Sequence, residues 1–315
     1  MKKSSKAIIE HLSDFLDWLD IEKGLSSKSQ ENYTRFIERF FFWLKSNKLE
    51  NIKPHELTKD HIWEYRVFLS RKYPSKTKKP LKRSTQNYYL IALRALLSYF
   101  SARDITCIPS DKIKLSKGKK ETLVKFLNIE QLEKLFNAPN VSTIQGLRDR
   151  AILETFFSTG MRIAELVSLN REQIKIKTGF ELGIIGKGGR PRTVYFSENA
   201  INCLRKYLEK RTDKEKALFI NYRSRKDASK RLTPRAIEKL IKKYSVIAGI
   251  PISTTPHVLR HSFATDLLTQ GVDLRTVQEF LGHKNITATQ IYTHITSKRL
   301  RDIHKKFHRG KEINE

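Results

Sequence analysis

The chain has 315 residues, of which 39% are hydrophobic, so it is long enough for two domains with separate cores. Its 62 Lys and Arg residues against 33 Asp and Glu give a net charge of +29, which favours a polyanionic partner such as nucleic acid. A generally basic protein is the alternative, because charge speaks to association and not to fold. No stretch reaches the ~18 apolar residues of a membrane span, and the N-terminal stretch is too acidic and interrupted for a signal peptide. We therefore expect a cytosolic protein.

The two cysteines, Cys107 and Cys203, lie far apart and show no Cys-x-x-Cys spacing. In a cytosolic protein this pattern predicts reduced thiols and no cysteine-based zinc site.

The first hundred residues predict an all-helical bundle. Apolar residues recur at helical spacing over 8–19, 33–44 and 89–100, and a shorter helix at 58–70 completes a set of four. Ser4 or Ser5, Ser26 and Ser84 are the predicted N-caps. We interpret the many aromatic side chains as core and not as base-stacking groups.

Lysine-rich stretches at 72–83 and 111–125 interrupt this pattern. We place a basic linker at 109–126, which gives an N-terminal domain at 1–108 and a C-terminal domain at 127–315. The linker lysines suit a phosphate backbone, and a solvated connector is an equally good interpretation.

The second domain is predicted to be mainly helical with a small antiparallel sheet. Asn128 is the predicted cap of a first helix, IEQLEKLF, and a second helix from about Gln145 ends at Thr159 and Gly160. β-rich runs follow at 174–177, 181–185 and 193–196, with a glycine-rich hairpin turn at 186–189. Helices return at 197–211, 233–248, 255–269 and 273–281, and again around Tyr292.

Tyr292 is a candidate nucleophile, nine positions beyond His283. A phenol with a pKa near ~10 attacks phosphorus poorly at neutral pH, so it needs groups that bind a phosphate and move protons. Arginine suits the first task and histidine the second. The chain supplies such residues in Arg162, Lys187, His257, Arg260 and His283, with Glu165 one helical turn after Arg162.

In this order and spacing the set resembles the tyrosine recombinase (phage integrase) family, and most of all its Xer branch. The resemblance is carried by STGMRIAELVSL, GKGGRPRTVYF, TPHVLRHSFATDLLTQG and LGHKNITATQIYTH, and it covers nearly the whole chain. It implies a SAM-like core-binding bundle followed by a catalytic domain. Compact integrases of mobile elements look similar, so the Xer assignment leaves that alternative open.

The resemblance also implies residue roles. Arg162 and Arg260 would bind the nonbridging oxygens of the scissile phosphate, and Tyr292 would form a 3'-phosphotyrosyl bond without ATP, metal or other cofactor. Lys187 would protonate the leaving 5'-oxygen, although Arg190 and Arg192 lie on the same hairpin. Which of His257 and His283 accepts the tyrosine proton stays open. Glu165 would brace the site, and we interpret His261 as structural.

Two regions are candidate DNA contacts, because a helix start rich in polar and basic residues suits phosphates and base edges. One consists of two helix starts in the first domain, and the other includes the hairpin and the segment before the 233–248 helix. Their members are Lys28, Arg35, Arg83, Thr85, Gln86, Arg190, Arg223, Arg225, Lys230, Arg231 and Arg235.

In the tail at 297–307, apolar residues recur at short intervals, at Leu300, Ile303 and Phe307. The resemblance implies a terminal helix that packs on a neighbouring protomer, in a tetramer on two duplex DNA sites with paired half-sites. The tetramer would be made of this chain alone or with a second recombinase, and a DNA translocase is a candidate further partner. The alternatives are an intramolecular tail helix, a type IB topoisomerase-like nickase, and a non-catalytic DNA-binding protein with a vestigial site.

Overall fold

A computed structural model of the chain describes residues 1–73, 80–116, 125–174, 181–186, 189, 191–225, 229–251 and 253–282. Its contacts divide the chain into two compact units, Met1–Glu121 and Thr122–Glu315. The division falls inside the predicted linker.

The N-terminal unit contains the four predicted helices: α1 (Leu12–Ile21), α2 (Ser27–Ser46), α3 (Lys59–Val67) and α4 (Arg83–Ala102). Helix α2 packs along α4, and α1 packs on α2. Helix α3 continues into a π turn at Phe68–Lys72, so the helical stretch matches the predicted 58–70 closely. Thr58 caps it, because its hydroxyl accepts the backbone N–H of His61 at 3.3 Å.

Of the predicted serine caps, only Ser26 stands at the N-cap position, at the start of α2. The prediction of Ser84 as a cap is wrong. The backbone N–H of Gln86 donates to the carbonyl of Lys82 at 3.0 Å, so the helix begins at Arg83 and Ser84 lies in its first turn. Ser4 and Ser5 are also wrong. A 3-10 turn at Ile8–His11 precedes α1, and the Ser4 hydroxyl instead lies 3.1 Å from Nε2 of His11.

The core of this unit is rich in aromatic rings, as predicted. Phe15, Phe40, Tyr65 and Phe100 are fully buried, and their rings contact further aromatic side chains. Trp63 is an exception, with 65% of its surface exposed.

The first part of the predicted linker packs on this unit instead of crossing solvent. Ile113 is 1% exposed, and Arg66 Nη1 donates to the carbonyl of Lys114 at 2.7 Å. The side-chain amide of Asn87 donates to and accepts from the backbone of Ser116, at 3.0 Å each way. The later linker residues 117–124 lie outside the described residues.

The C-terminal unit is mainly helical, as predicted. Its helices are α5 (Ile129–Asn137), α6 (Ile144–Thr159), α7 (Ile163–Ser168), α8 (Glu198–Glu209), α9 (Pro234–Ile247), α10 (Pro256–Gln270) and α11 (Leu274–Leu281). Helix α6 packs against α5, α8 and α10, and is buried on most of its faces. Side chains cap these helices as the sequence indicated: Asn128, for example, accepts the N–H of Gln131 at 2.9 Å.

The sheet consists of β1 (Glu181–Ile185) and β2 (Pro191–Tyr195), paired antiparallel with Glu181 opposite Tyr195. Two of the three predicted β runs are thereby confirmed. Ile174 follows a 3-10 turn at Arg171–Gln173, and the rest of the first run lies outside the described residues. None of the described helices is long and apolar enough to cross a membrane.

Charged side chains lie inside this unit as well as on it. Arg148 Nε donates to Asp149 Oδ1 at 2.7 Å, its Nη1 donates to the carbonyl of Ile220 at 2.7 Å, and Tyr244 donates its hydroxyl to Asp149 Oδ2 at 2.8 Å. Arg211 is buried too and binds the carboxylate of Asp213. These contacts satisfy the buried charges, which would otherwise be strongly destabilising.

Candidate active site

Arg162 stands at the start of α7, just after a sharp turn. Helix α6 ends at Gly160, whose φ of +55° is favoured by glycine, and a Cβ there would lie 2.4 Å from the ring of Phe263. The turn places Arg162 at the N-cap of α7, where its backbone N–H donates to Oε2 of Glu165 at 2.7 Å. Its Nη1 donates to Oε1 of the same carboxylate at 3.1 Å. The pair thus lies on one face, at the predicted spacing.

Arg192, on β2, also binds Glu165. Its Nη1 donates to Oε1 and its Nη2 to Oε2, each at 2.8 Å. This is the bidentate geometry that favours arginine over lysine. Burial alone would raise the pKa of Glu165, but the hydrogen bonds from Arg192 and Arg162 outweigh it and lower that pKa below its ordinary value. Glu165 is therefore a carboxylate at neutral pH.

Arg260 lies on α10, which begins after Thr255 and Pro256 as the sequence predicted. Its side chain is buried, with Nη1 donating to the carbonyl of Gly160 and Nη2 to the carbonyl of Leu281. Arg162 Nη2 donates to the next carbonyl, that of Gly282, at 3.1 Å. Because adjacent Cα atoms are about 3.8 Å apart, the structure brings the two predicted arginines together at the end of α11.

His257 lies one helical turn before Arg260 and is exposed. His261 is only partly exposed, and its pKa is lowered to about 4 by burial, with smaller contributions from the charges of His257 and Arg260. A neutral imidazole in that place fits the predicted structural role.

Four predicted site residues, Lys187, Arg190, His283 and Tyr292, lie outside the described residues, as does the 297–307 tail. The structure does describe their immediate neighbours. Gly189 has a φ of +75° in the hairpin turn, and Gly282, with a φ of +59°, ends α11 directly before His283.

Two of the predicted DNA contacts of the N-terminal unit share a groove. Arg35 on α2 and Thr85 on α4 line one groove of about 890 Å³, with Tyr88, which is 57% exposed, beside them. Lys28 and Arg83 are exposed, whereas Gln86 is partly buried and donates its amide to the carbonyl of Leu81 at 2.8 Å.

In the C-terminal unit, Arg223, Arg225 and Arg235 are exposed. Lys230 lies 3.5 Å from a carboxylate oxygen of Glu215. Arg231 has partners within the protein: its Nη1 donates to the carbonyls of Val167 and Leu169 at 2.6 and 2.9 Å, and its Nη2 binds Asn170. These bonds hold the segment after α7.

The sequence indicates Arg192 only as an alternative to Lys187, and its contact with Glu165 is a finding of the structure. A signal was present in the alternation of β2. Arg192 and Val194 point to the same face of the strand, and Val194 is 2% exposed. An arginine on the buried face of a strand needs an acceptor, and Glu165 supplies it.

Two family models match the chain. The phage integrase family matches residues 125–299, and the phage integrase N-terminal SAM-like domain matches residues 12–104. The chain is 35% identical over 305 residues to the tyrosine recombinase XerD of Listeria monocytogenes serovar 1/2a, with 94% of this chain and 98% of that protein covered. It is 34% identical over 310 residues to the tyrosine recombinase XerC of Natranaerobius thermophilus, again with 94% and 98% covered.

The fold has a solved counterpart in the XerH site-specific recombinase bound to its difH substrate in a pre-cleavage complex. The TM-score is 0.70 with 21% identity, over 96% of this chain and 98% of that one. The two family models together cover both units, and the relatives match along nearly their full length. The chain therefore belongs to the phage integrase family and is an Xer-like tyrosine recombinase, an enzyme of site-specific DNA recombination.

Proposed function

We propose that this recombinase cuts and rejoins duplex DNA through a covalent bond between Tyr292 and a 3'-phosphate. The phenol oxygen of Tyr292 attacks the scissile phosphorus, a P–O bond to tyrosine forms, and the bond to the 5'-oxygen breaks. The 5'-hydroxyl of a partner strand then reverses the step. The phosphodiester energy is kept in the protein–DNA bond, so the reaction needs no ATP.

The observation that carries this proposal is the convergence of two arginines at the end of α11. Arg260 and Arg162 bind the consecutive carbonyls of Leu281 and Gly282, and His283 is the next residue in the chain. Two guanidinium groups held beside each other suit the nonbridging oxygens of one phosphate, and they stabilise the charge that grows in the transition state. Fixed donors of this kind need no reorganisation when the reaction begins.

In this proposal three further residues transfer protons or bind the phosphate. Lys187, next to the glycines of the hairpin turn, protonates the departing 5'-oxygen as general acid. His257 and His283 either accept the proton of Tyr292 or donate hydrogen bonds to the phosphate. The exposure of His257, one turn from Arg260, supports its access to a substrate.

A nicked suicide duplex tests the nucleophile. The wild-type protein should trap a covalent adduct in buffer containing EDTA, because no metal is needed to activate the phenol. Tyr292→Phe should form no adduct and should bind the duplex within about two-fold of wild type, since the phenol oxygen is the attacking atom. Adduct formation is measured on denaturing gels and binding by gel shift.

Tyr99→Phe is the matched control, because Tyr99 is a buried core residue of the N-terminal unit and should retain the adduct. If Tyr292→Phe still forms the adduct, the nucleophile is a different residue.

We further propose that the protein works as a tetramer on two DNA sites, in Xer-type resolution of chromosome or plasmid multimers. The similarity to XerD and XerC along nearly the whole chain supports this assignment. Mapping the DNA bound in cells should then give one chromosomal locus. Binding at the ends of a mobile element would instead identify an integrase.

A further inference from the structure

Arg192 connects three elements around the arginine pair. It lies on β2, binds the carboxylate of Glu165 on α7 through both terminal nitrogens, and packs against Gly282 at the end of α11. Its side chain is 10% exposed and that of Glu165 is 6% exposed, so water screens the pair only weakly. The same strand follows the hairpin turn that carries Lys187.

The contact with Gly282 depends on a missing side chain. A Cβ on Gly282 would lie 2.8 Å from Cδ of Arg192 and 3.3 Å from its Nε. The +59° φ of Gly282 and the space beside it both favour glycine. The strand is also attached to α11 by the edge-on contact between the rings of Tyr195 and Phe280, at 5.8 Å. Arg192 therefore lies where β2, α7 and the residue before His283 meet.

Arg192 and Arg162 share one carboxylate, that of Glu165. Glu165 has two carboxylate oxygens, and Arg192 binds both of them at 2.8 Å. Arg162 makes only one side-chain bond to that carboxylate, at 3.1 Å, and directs its Nη2 to Gly282. Without Arg192, Glu165 would take Arg162 as its full bidentate partner, because a buried carboxylate needs a cation. Arg162 would then have fewer donors left for a phosphate.

We propose that Arg192 is a positioning residue, which occupies Glu165 so that Arg162 keeps its guanidinium directed at the scissile phosphate. This inference rests on the proposed function, because it concerns the same phosphate. In this proposal Arg192 acts through Glu165 and the end of α11, and not by binding the phosphate itself.

Single-turnover cleavage of the suicide duplex by Arg192→Ala tests the proposal. The cleavage rate should fall roughly 10- to 100-fold, because a displaced catalytic group loses rate without any loss of substrate contact. DNA affinity should stay within about two-fold of wild type. Arg192→Lys keeps the charge without the bidentate geometry and should recover only part of the rate.

Two further measurements separate positioning from a general structural role. In the Arg192→Ala background, Glu165→Gln removes the competing charge, so the double variant should cleave no more slowly than Arg192→Ala alone. On a duplex whose scissile phosphate carries a methyl group in place of a nonbridging oxygen, less negative charge needs neutralising. The defect of Arg192→Ala should therefore shrink there, as that of Arg162→Ala should.

Arg205→Ala is the matched control, because Arg205 is an exposed arginine on α8 that bonds only to Asn202 among the described residues. It should cleave like wild type. Two results would overturn the proposal. One is a cleavage rate of the double variant that falls by the product of the losses in Arg192→Ala and Glu165→Gln. The other is a loss of rate in Arg192→Ala that is as large on the methylated duplex as on the ordinary one. If Arg192→Ala melts below the assay temperature, Arg192→Lys carries both comparisons. Absence of any adduct with the wild-type protein would instead refute the proposed function.

Discussion

Among the residues that the structure describes, the two units keep different side chains away from solvent. The N-terminal unit buries aromatic and aliphatic groups, and its one buried titratable side chain outside the tyrosines is His11. The described part of the C-terminal unit buries six charged residues: Arg148, Asp149, Glu154, Glu165, Arg211 and Arg260.

The two units therefore differ in where they place the charged groups that suit a polyanion. The first unit places its candidate contacts on the outer faces of α2 and α4, and its interior only has to hold those helices together. The second unit brings charge inside, where the low dielectric strengthens each interaction and makes each unpaired group costly. A buried charged side chain has a defined orientation, because its hydrogen-bond partners hold it in place.

The largest expected difference between the two interiors concerns a single buried hydroxyl in each. Tyr244→Phe should lower the free energy of unfolding by about 1 to 3 kcal/mol, because its hydroxyl donates to the buried carboxylate of Asp149 at 2.8 Å. Tyr65→Phe should be neutral or slightly stabilising, because the buried Tyr65 hydroxyl has no hydrogen-bond partner among the described residues. Urea unfolding of both variants measures the two effects.

An equal loss of stability in Tyr65→Phe and Tyr244→Phe would show that the two interiors do not differ in this way, since the apolar interior would then depend on hydroxyl contacts too. Tyr195→Phe serves as the control, because Tyr195 is 49% exposed and its ring contact with Phe280 survives the change.

A smaller effect concerns pH. The pKa of His261 is about 4 in the folded protein, against an ordinary value of 6.5. Between these values the unfolded chain binds a proton that the folded chain does not, so stability falls as pH drops from about 6.5 toward 4. His261→Asn should remove part of this fall, by about 1 kcal/mol between pH 7 and 5 after allowance for partial exposure.

Urea unfolding at the two pH values measures this difference. His11→Asn is the counterpart in the N-terminal unit, where burial also lowers the pKa of the histidine. An equal pH dependence in wild type and His261→Asn would mean that the imidazole is protonated at no cost.

The sequence predicted the elements better than the contacts between them. Helix caps such as Asn128, Thr233 and Asp273 act within four residues, so their signals are local and were readable. Among the serines of the first unit, Ser26 stands at its predicted cap position, whereas Ser84 does not, because the backbone bond from Gln86 to Lys82 moves the helix start.

Motif spacing made Arg162 and Arg260 candidates for the site, but it did not predict the hydrogen bonds that position their side chains. The bond from Arg260 to Leu281 joins α10 to the end of α11, and the bonds of Arg192 join β2 to α7. Such contacts depend on how elements pack, which no local pattern contains. The contacts of Arg231 were not predicted for the same reason, since its acceptors at Val167 and Leu169 lie far away in the chain.

Two arginines bind the carbonyls at the end of α11. The last carbonyls of a helix usually go to water or to local backbone donors, and this helix gives those of Leu281 and Gly282 to arginines from α10 and α7. The final turn cannot fray without releasing both guanidinium groups. Amide hydrogen exchange at Gly282, whose N–H donates to Glu279 at 2.9 Å, should then report how long the arginine pair stays assembled.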